Sequence, residues 1–338
     1  MSFQDRCGVL AAGHWIVDHV KVIEAWPAQD SLVSITSQAS GNGGCAYNVL
    51  KDLSRLGAGF PLEGIGLIGD DADGKAIMDD CADCGISTTG LHVSEEHATS
   101  YTDVMTVAGD GRRTFFHQRG ANAFLQEKHI RWDNSDAKFF LLGYLALLDG
   151  LDAIGADGRT GASRVFEAAG RAGFFTCADL VSSHSGDFPT VIGPSLPWID
   201  WLFLNELEAA RLVDQAMPAA DDRSGLLALA EAVLELGVRR GIFLHSAKAA
   251  IGMGRDGTAV AQGCVNVPRE MIRGTAGAGD AFASGCLFGL HEERPMRECL
   301  ELGVSAAACS LRDPSCSASI PSAAECAEFA RAHGFSTL

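Results

Sequence analysis

Positive charge is scarce in this sequence: 26 Lys and Arg stand against 43 Asp and Glu over 338 residues, a formal net charge of -17. A surface of that sign repels the phosphate backbone of nucleic acid, which excludes nucleic acid as the expected partner. No stretch approaches the roughly 20 consecutive apolar residues that a membrane span requires, so no membrane partner is expected. The opening, MSFQDRCGVLAAG, has no basic segment ahead of a long apolar run and no small-residue cleavage site. A secretory leader is therefore not expected, and the cytoplasm is the expected compartment. Regular cysteine spacing is missing too. Eleven cysteines are an odd number scattered irregularly, which argues against a disulfide framework. Cys81 and Cys84 have the spacing of half a zinc site or of a redox motif, but no second pair or nearby histidine pair completes one. Buried thiols are the other reading of that pair. Internal repeats, low-complexity tracts and an evident linker are absent, which predicts one domain over 1–338.

What is present reads as a packed α/β chain, with 47% hydrophobic residues. An apolar run at 9–12 ends at Gly13, as a central strand does on leaving a sheet. The turn-rich Ala39-Ser-Gly-Asn-Gly-Gly44 leads into helical spacing over 46–56, with Gly57 placed as a C-cap. A strand over 62–68 and a helix over 74–84 repeat the alternation of a parallel sheet covered by helices. The period then changes. Residues 99–107 are rich in Thr, Val and Tyr, and Asp110-Gly111 separates them from a second β-rich run at 114–117, the pattern of a hairpin flap. Further strands are expected at 138–142, 174–178, 201–204 and 242–245. Helices are expected at 278–290, 296–311 and 323–333.

The stretch richest in chemistry is Arg273-Gly-Thr-Ala-Gly-Ala-Gly-Asp-Ala-Phe-Ala-Ser-Gly285, where small residues run straight into a helix with Asp280 in its first turn. Small residues let backbone approach a phosphate closely. The N–H groups from Ala276 to Gly279, at the positive end of the helix, would hold charge that develops on a transferring phosphoryl group. A carboxylate beside them can take the proton of an attacking hydroxyl. The plainer reading is a glycine turn in which Asp280 is only a favourable N-terminal charge.

Thr275-Ala-Gly-Ala-Gly-Asp-Ala-Phe282 closely resembles the C-terminal signature of the ribokinase-like (PfkB) carbohydrate kinases. Other parts of that resemblance follow in order along the chain: Gly43-Gly44-Cys-Ala-Tyr-Asn48 is similar to the family's N-terminal signature, and Asn205-Glu-Leu-Glu208 to its Asn-x-x-Glu motif. The resemblance implies an ATP-dependent kinase that phosphorylates a hydroxyl of a sugar or sugar derivative. Its fold would be a three-layer α/β/α structure with a mostly parallel central sheet and a small β lid, built from about 14–40 and 99–119. It further implies Asp280 as base, Gly277, Ala278 and Gly279 as the anion hole, and Asp18, Gly43, Gly44 and Asn48 as the sugar grip. Asn205, Glu208, His245 and Thr275 would line the nucleotide, with Asn205 and Glu208 reaching Mg2+ directly or through water. Taken singly, Gly43 and Gly44 read as a turn, Asp18 as a solvated loop residue and Asn205 as an N-cap. Their joint order favours the functional reading.

The sequence also departs from the family pattern. Gly274 stands where the signature usually begins with aspartate, and Leu311-Arg-Asp-Pro-Ser-Cys-Ser-Ala318 replaces a Thr-Arg-x-Gly-Ala loop. Together these imply loss of a monovalent-cation site. Ala247 and Ala250 replace glycines near the nucleotide. Gly143-Tyr-Leu-Ala-Leu-Leu148 lacks the glutamate of ribokinases proper, which points toward a fructokinase-like enzyme rather than ribose as substrate. Open lid edges invite a homodimer. The rival readings are a nucleoside kinase of the same fold and a sensing protein that binds sugar or nucleotide without catalysis. A Rossmann dehydrogenase is disfavoured, because no Gly-x-Gly-x-x-Gly follows the first strand.

Overall fold

The structure is a computed structural model that describes residues 6–109, 112–182 and 188–338. Its strands are β1 (Val9–Ala12), β2 (Ile16–Ile23), β3 (Ile35–Gly43), β4 (Leu62–Gly69), β5 (Ile86–Ser94), β6 (Ser100–Val107) and β7 (Arg113–Gln118) in the first part of the chain. They continue as β8 (Phe139–Gly143), β9 (Phe175–Asp179), β10 (Trp201–Asn205), β11 (Gly241–His245), β12 (Ala249–Gly254) and β13 (Ala259–Gly263). Nine of the described strands form one sheet in the order β13-β12-β11-β10-β9-β8-β1-β4-β5. All its pairings are parallel except those of β12 with β11 and β13.

Strands buried on both faces should read as near-continuous apolar runs, and β8 (FFLLG) is buried at every position. Alternate residues feed opposite layers. Phe139 and Leu141 join the core under helices Cys45–Leu56, Ala278–His291 and Met296–Ser310, whereas Phe140 and Leu142 join the core under Gly161–Arg171 and Arg223–Glu235. The helices expected at 46–56, 278–290, 296–311 and 323–333 are present, and Gly57 takes the left-handed C-cap at φ 85°. The expectation did not extend to β5, β12 or β13. The last two, AAIGMG and AVAQG, are built of small residues with little intrinsic strand preference. All eleven cysteines are free thiols, with Cys81 buried in the core and Cys84 beside it.

Four strands form a separate small sheet in the order β3-β2-β6-β7. Two antiparallel pairs, β2 with β3 and β6 with β7, are joined by parallel pairing of β2 with β6. The sequence places a turn at Asp110-Gly111, which lies outside the described residues. Asp18 belongs to β2 and is not the solvated loop residue that the sequence left open. β3 runs past residue 40 to Gly43, so the small sheet delivers the Gly43-Gly44 pair to the start of helix Cys45–Leu56.

Candidate active site

From β1 the chain proceeds to β4 and β5 on one side and to β8 through β11 on the other, so the strand order reverses between β1 and β8. At such a reversal the helices diverge and leave a crevice at the carboxyl ends of the strands. The apolar runs of β9, β10 and β11 each stop on a polar residue at that edge: Asp179, Asn205 and His245. Helix Ala278–His291 points its N-terminus at the same edge, with Gly277 as N-cap at φ 74°. A side chain at Gly277 would strain the backbone, and its Cβ would fall 2.7 Å from that of Cys316.

Asp280, in the first turn of this helix, is 2% exposed. Its Oδ2 accepts hydrogen bonds from Asn48 Nδ2 at 2.8 Å and from the Tyr144 hydroxyl at 2.8 Å. Among the described residues none donates to its Oδ1. Asp179, 4% exposed, lies alongside, and one ligand atom each from Cys45, Asp179 and Asp280 falls within 4.8 Å of the others. Burial raises both carboxyls, and their proximity adds to the effect at Asp179. Two buried carboxyls this close do not both ionise at neutral pH. Among the described residues Asp179 has only the Cys45 thiol, at 3.4 Å, to support a charge, whereas Asp280 has an amide and a phenol. The proton therefore rests on Asp179 and the charge on Asp280.

On the small-sheet side, burial pushes the Asp18 carboxyl up to about 7, against hydrogen bonds from Cys316 and Thr102. The Cys316 thiol lies 3.7 Å from Asp18 Oδ2. A Cβ on Gly43 would fall 2.7 Å from the Asp18 carboxyl carbon, and one on Gly44, at φ 87°, would fall 2.6 Å from the His14 carbonyl oxygen. These are close approaches that only glycine permits. Asn48, 2% exposed, is engaged at both ends of its amide: Nδ2 donates to Asp280, and Oδ1 accepts from Asn42 Nδ2 at 2.7 Å.

On the opposite side of the glycine turn opens a cavity of about 760 Å³, lined by Asn205, His245, Val267, Thr275, Ala278 and Leu311 among others. Burial lowers His245 to about 4, so its imidazole is neutral. The ring lies 4.9 Å from that of Phe282, centroid to centroid. Asn205 and Glu208 form a reciprocal capping box on helix Glu206–Leu212: Glu208 N donates to Asn205 Oδ1 and Asn205 N to Glu208 Oε2, each at 2.9 Å. Glu208 Oε1 also accepts from Ser182 Oγ and Asn205 Nδ2, both at 2.8 Å. Most acceptor capacity of the 3% exposed Glu208 is thus spent within the chain. A divalent cation fits here through its water shell and not by a direct bond to Glu208. In the Cys45, Asp179 and Asp280 group, the soft sulfur is a poor donor for Mg2+.

The crevice thus gathers Asp280, Asn48, Gly43, Gly44 and Asp18 on one side of the glycine turn, and Thr275, His245, Asn205 and Glu208 on the other. The sequence reading missed Asp179, Tyr144 and Arg113. Asp179 had a signal, because it ends the run at 174–178 as Asn205 and His245 end theirs. Tyr144 directly follows β8 in a left-handed conformation at φ 57°, which no local pattern announces. Arg113 reaches the glycine turn from β7 of the small sheet, where Nη2 donates to the Arg273 carbonyl oxygen at 3.3 Å.

Relatives share this frame. A ribokinase of Haemophilus influenzae is 26% identical over 317 residues, 92% of this chain and 94% of that protein. An ATP-dependent ribose-1-phosphate kinase of Halopiger xanaduensis is 30% identical over 122 residues, a match that spans 36% of this chain and only 40% of the relative. Among solved structures, Arabidopsis thaliana ribokinase in complex with ribose and ATP superimposes with a TM-score of 0.79 at 20% identity, covering 96% of this chain and 99% of that one. The nucleoside kinase of Methanocaldococcus jannaschii does so with a TM-score of 0.74 at 18% identity, covering 96% and 98%. The sequence model of the pfkB family carbohydrate kinases matches residues 9–323. The chain belongs to that family of phosphotransferases, whose acceptor is a hydroxyl group.

Proposed function

We propose that this protein transfers the γ-phosphate of ATP to a hydroxyl of a sugar or sugar derivative bound between the small sheet and the glycine turn. The observation that carries this reading is Asp280: a buried carboxylate with one oxygen held by Asn48 and Tyr144 and the other without a partner among the described residues, beside a helix N-terminus at the mouth of a nucleotide-sized cavity. Asp280 Oδ1 accepts the acceptor's proton as the acceptor oxygen bonds to phosphorus, and ADP leaves with the electron pair of the broken P–O bond. The N–H groups of Gly277, Ala278 and Gly279 face the phosphoryl oxygens. Asp18 holds hydroxyls of the acceptor in the space that Gly43 and Gly44 leave, and Asn48 orients Asp280. Thr275 and His245 line the nucleotide. Mg2+, reached through water by Asn205 and Glu208, would neutralise triphosphate charge when bound. A guanidinium lies against Gly274, which supports the reading that no monovalent cation is held at that point.

The small sheet serves as a lid on a single domain spanning 1–338, excluding water that would compete as acceptor. Its exposed aromatic side chains support a homodimer through this sheet. Eleven free thiols support a reducing, cytoplasmic setting. Fructose-like sugars lead the candidate acceptors, since no carboxylate occupies 143–148. Ribose and nucleosides remain in the panel because proteins of similar sequence or fold carry those names. The test is ADP release from Mg-ATP with ketoses, aldoses, sugar acids and nucleosides, for wild type and Asp280→Asn side by side. Turnover with one class, reduced by orders of magnitude in the variant, is expected. Near-normal turnover of the variant would remove Asp280 from its role, and silence across the panel with ATP still bound would favour a sensing protein.

A further inference from the structure

We propose that Asp152 is a positioning residue of this site: its carboxylate holds the turn after β8 in the shape that carries the Tyr144 phenol to Asp280. This role rests on the reading of Asp280 as the base and adds to it the group that keeps the base's phenolic partner in place. Tyr144 follows β8 directly with a left-handed backbone at φ 57°, and Ala146, two residues on, is left-handed at φ 72°. Neither is glycine, and a side chain in that region is unfavourable. Two such residues within three positions make a turn that needs support from outside itself. Part of that support comes from the neighbouring strands. Tyr144 N donates to the Asp179 carbonyl oxygen at 2.8 Å, and the Leu147 carbonyl oxygen accepts from His14 Nε2 at 3.2 Å and from Arg119 Nη1 at 3.4 Å.

Asp152 grips the turn itself. Ala146 N donates to its Oδ1 at 3.1 Å and Leu148 N to its Oδ2 at 2.6 Å, so the two oxygens are engaged on either side of Leu147. The short helix Asp149–Asp152 sets this reach, because Asp152 N donates back to the Leu148 carbonyl oxygen at 2.7 Å. Burial pushes the Asp152 carboxyl up to about 6 against these two N–H bonds; Asp149 adds to the rise and Arg119 opposes it. In the neutral range the group is therefore ionised and accepts at both oxygens. A carboxylate suits this pair of donors and an amide does not. Asparagine has one acceptor oxygen and would turn its NH2 toward the other N–H. An N–H left unmet beside two residues in an unfavourable conformation lets the turn relax. The phenol then leaves Asp280 Oδ2, and of its two partners there only Asn48 stays.

The test uses the full chain with its three tyrosines carried as fluorotyrosine, and compares wild type with Asp152→Asn, Tyr144→Phe, Asp280→Ala and the double variant of the first two. The fluorine NMR signal that Tyr144→Phe removes belongs to Tyr144. In Asp152→Asn that signal should leave its wild-type position and move toward the one it takes in Asp280→Ala, where the acceptor of the phenol is missing. The signals of Tyr47 and Tyr101 should stay. An unmoved Tyr144 signal would overturn the proposal, and so would a displacement of all three, which marks a general structural role. With the acceptor found in the panel, Asp152→Asn should lower kcat about tenfold in the neutral range with little change in the KM for ATP. In the Tyr144→Phe background it should lower kcat no further, because both changes remove the same bond. Losses that multiply would overturn the proposal. A wild type without turnover would remove the kinase reading and leave the fluorine signals to decide on Asp152.

Discussion

Tyr144→Phe isolates one hydrogen bond at the proposed base. Burial raises the Asp280 carboxyl above the ordinary carboxylate value of 3.8, and the hydrogen bonds from Asn48 and Tyr144 act in the opposite direction by supporting its charge. The substitution removes the 2.8 Å phenolic bond and keeps the ring. A hydrogen bond to a charged group contributes about 1.5–3 kcal/mol. Losing it makes ionisation of the Asp280 carboxyl about 10–100-fold less favourable, which moves its titration further up. The base works only when ionised, so activity is lost as pH falls through its pKa, and a higher pKa moves that loss upward. Under saturating ATP and acceptor, the acid limb of kcat should therefore shift up by about 1–2 pH units, with the alkaline plateau nearly kept. ADP release followed from about pH 5 to pH 9 reads this directly. Circular dichroism and Tm check that the fold is intact. Coincident acid limbs for variant and wild type would refute the argument that Tyr144 supports the Asp280 charge.

Two further predictions concern stability and assembly. Asp52, fully buried on helix Cys45–Leu56, has its carboxyl pushed well above the model-compound value of 3.8 by desolvation. Its folded pKa exceeds its unfolded one, so wild type should lose stability relative to Asp52→Asn as pH rises through that window. Urea midpoints should then favour Asp52→Asn at neutral pH and converge near pH ~4, and a gap independent of pH would contradict the assignment. Around the small sheet, Trp26 is 51%, Ile35 50%, Phe115 56% and Phe116 51% exposed, and Trp26 stacks on Phe116 with ring centroids 6.2 Å apart. Light scattering should show a dimer that Phe116→Glu dissociates, and a wild type that stays monomeric at every concentration would end that proposal.

The sequence by itself carried six of the nine described strands of the large sheet and the elements around Asp280. The runs at 138–142, 201–204 and 242–245 are apolar because their strands are covered on both faces, and that requirement is local enough to read. The glycine turn before Asp280 was legible for a similar reason: a left-handed N-cap at Gly277 and close packing against Cys316 admit little else. Asn205 shows the limit of such reading. Its N-cap role and its place at the crevice were posed as alternatives, and the structure has it capping helix Glu206–Leu212 while it lines the cavity. Tertiary structure alone decided how the charges are shared. The proton distribution between Asp179 and Asp280, the amide of Asn48 turned toward Asp280, and the phenol of Tyr144 join residues from four separate segments, and no periodicity links them. Arg113 and Gly274 are 161 positions apart, and each alone reads as an exposed strand arginine and a departure from a signature. Only the folding of the small sheet over the crevice brings the guanidinium to the space a missing side chain leaves, because contact across that distance is set by packing and not by local pattern.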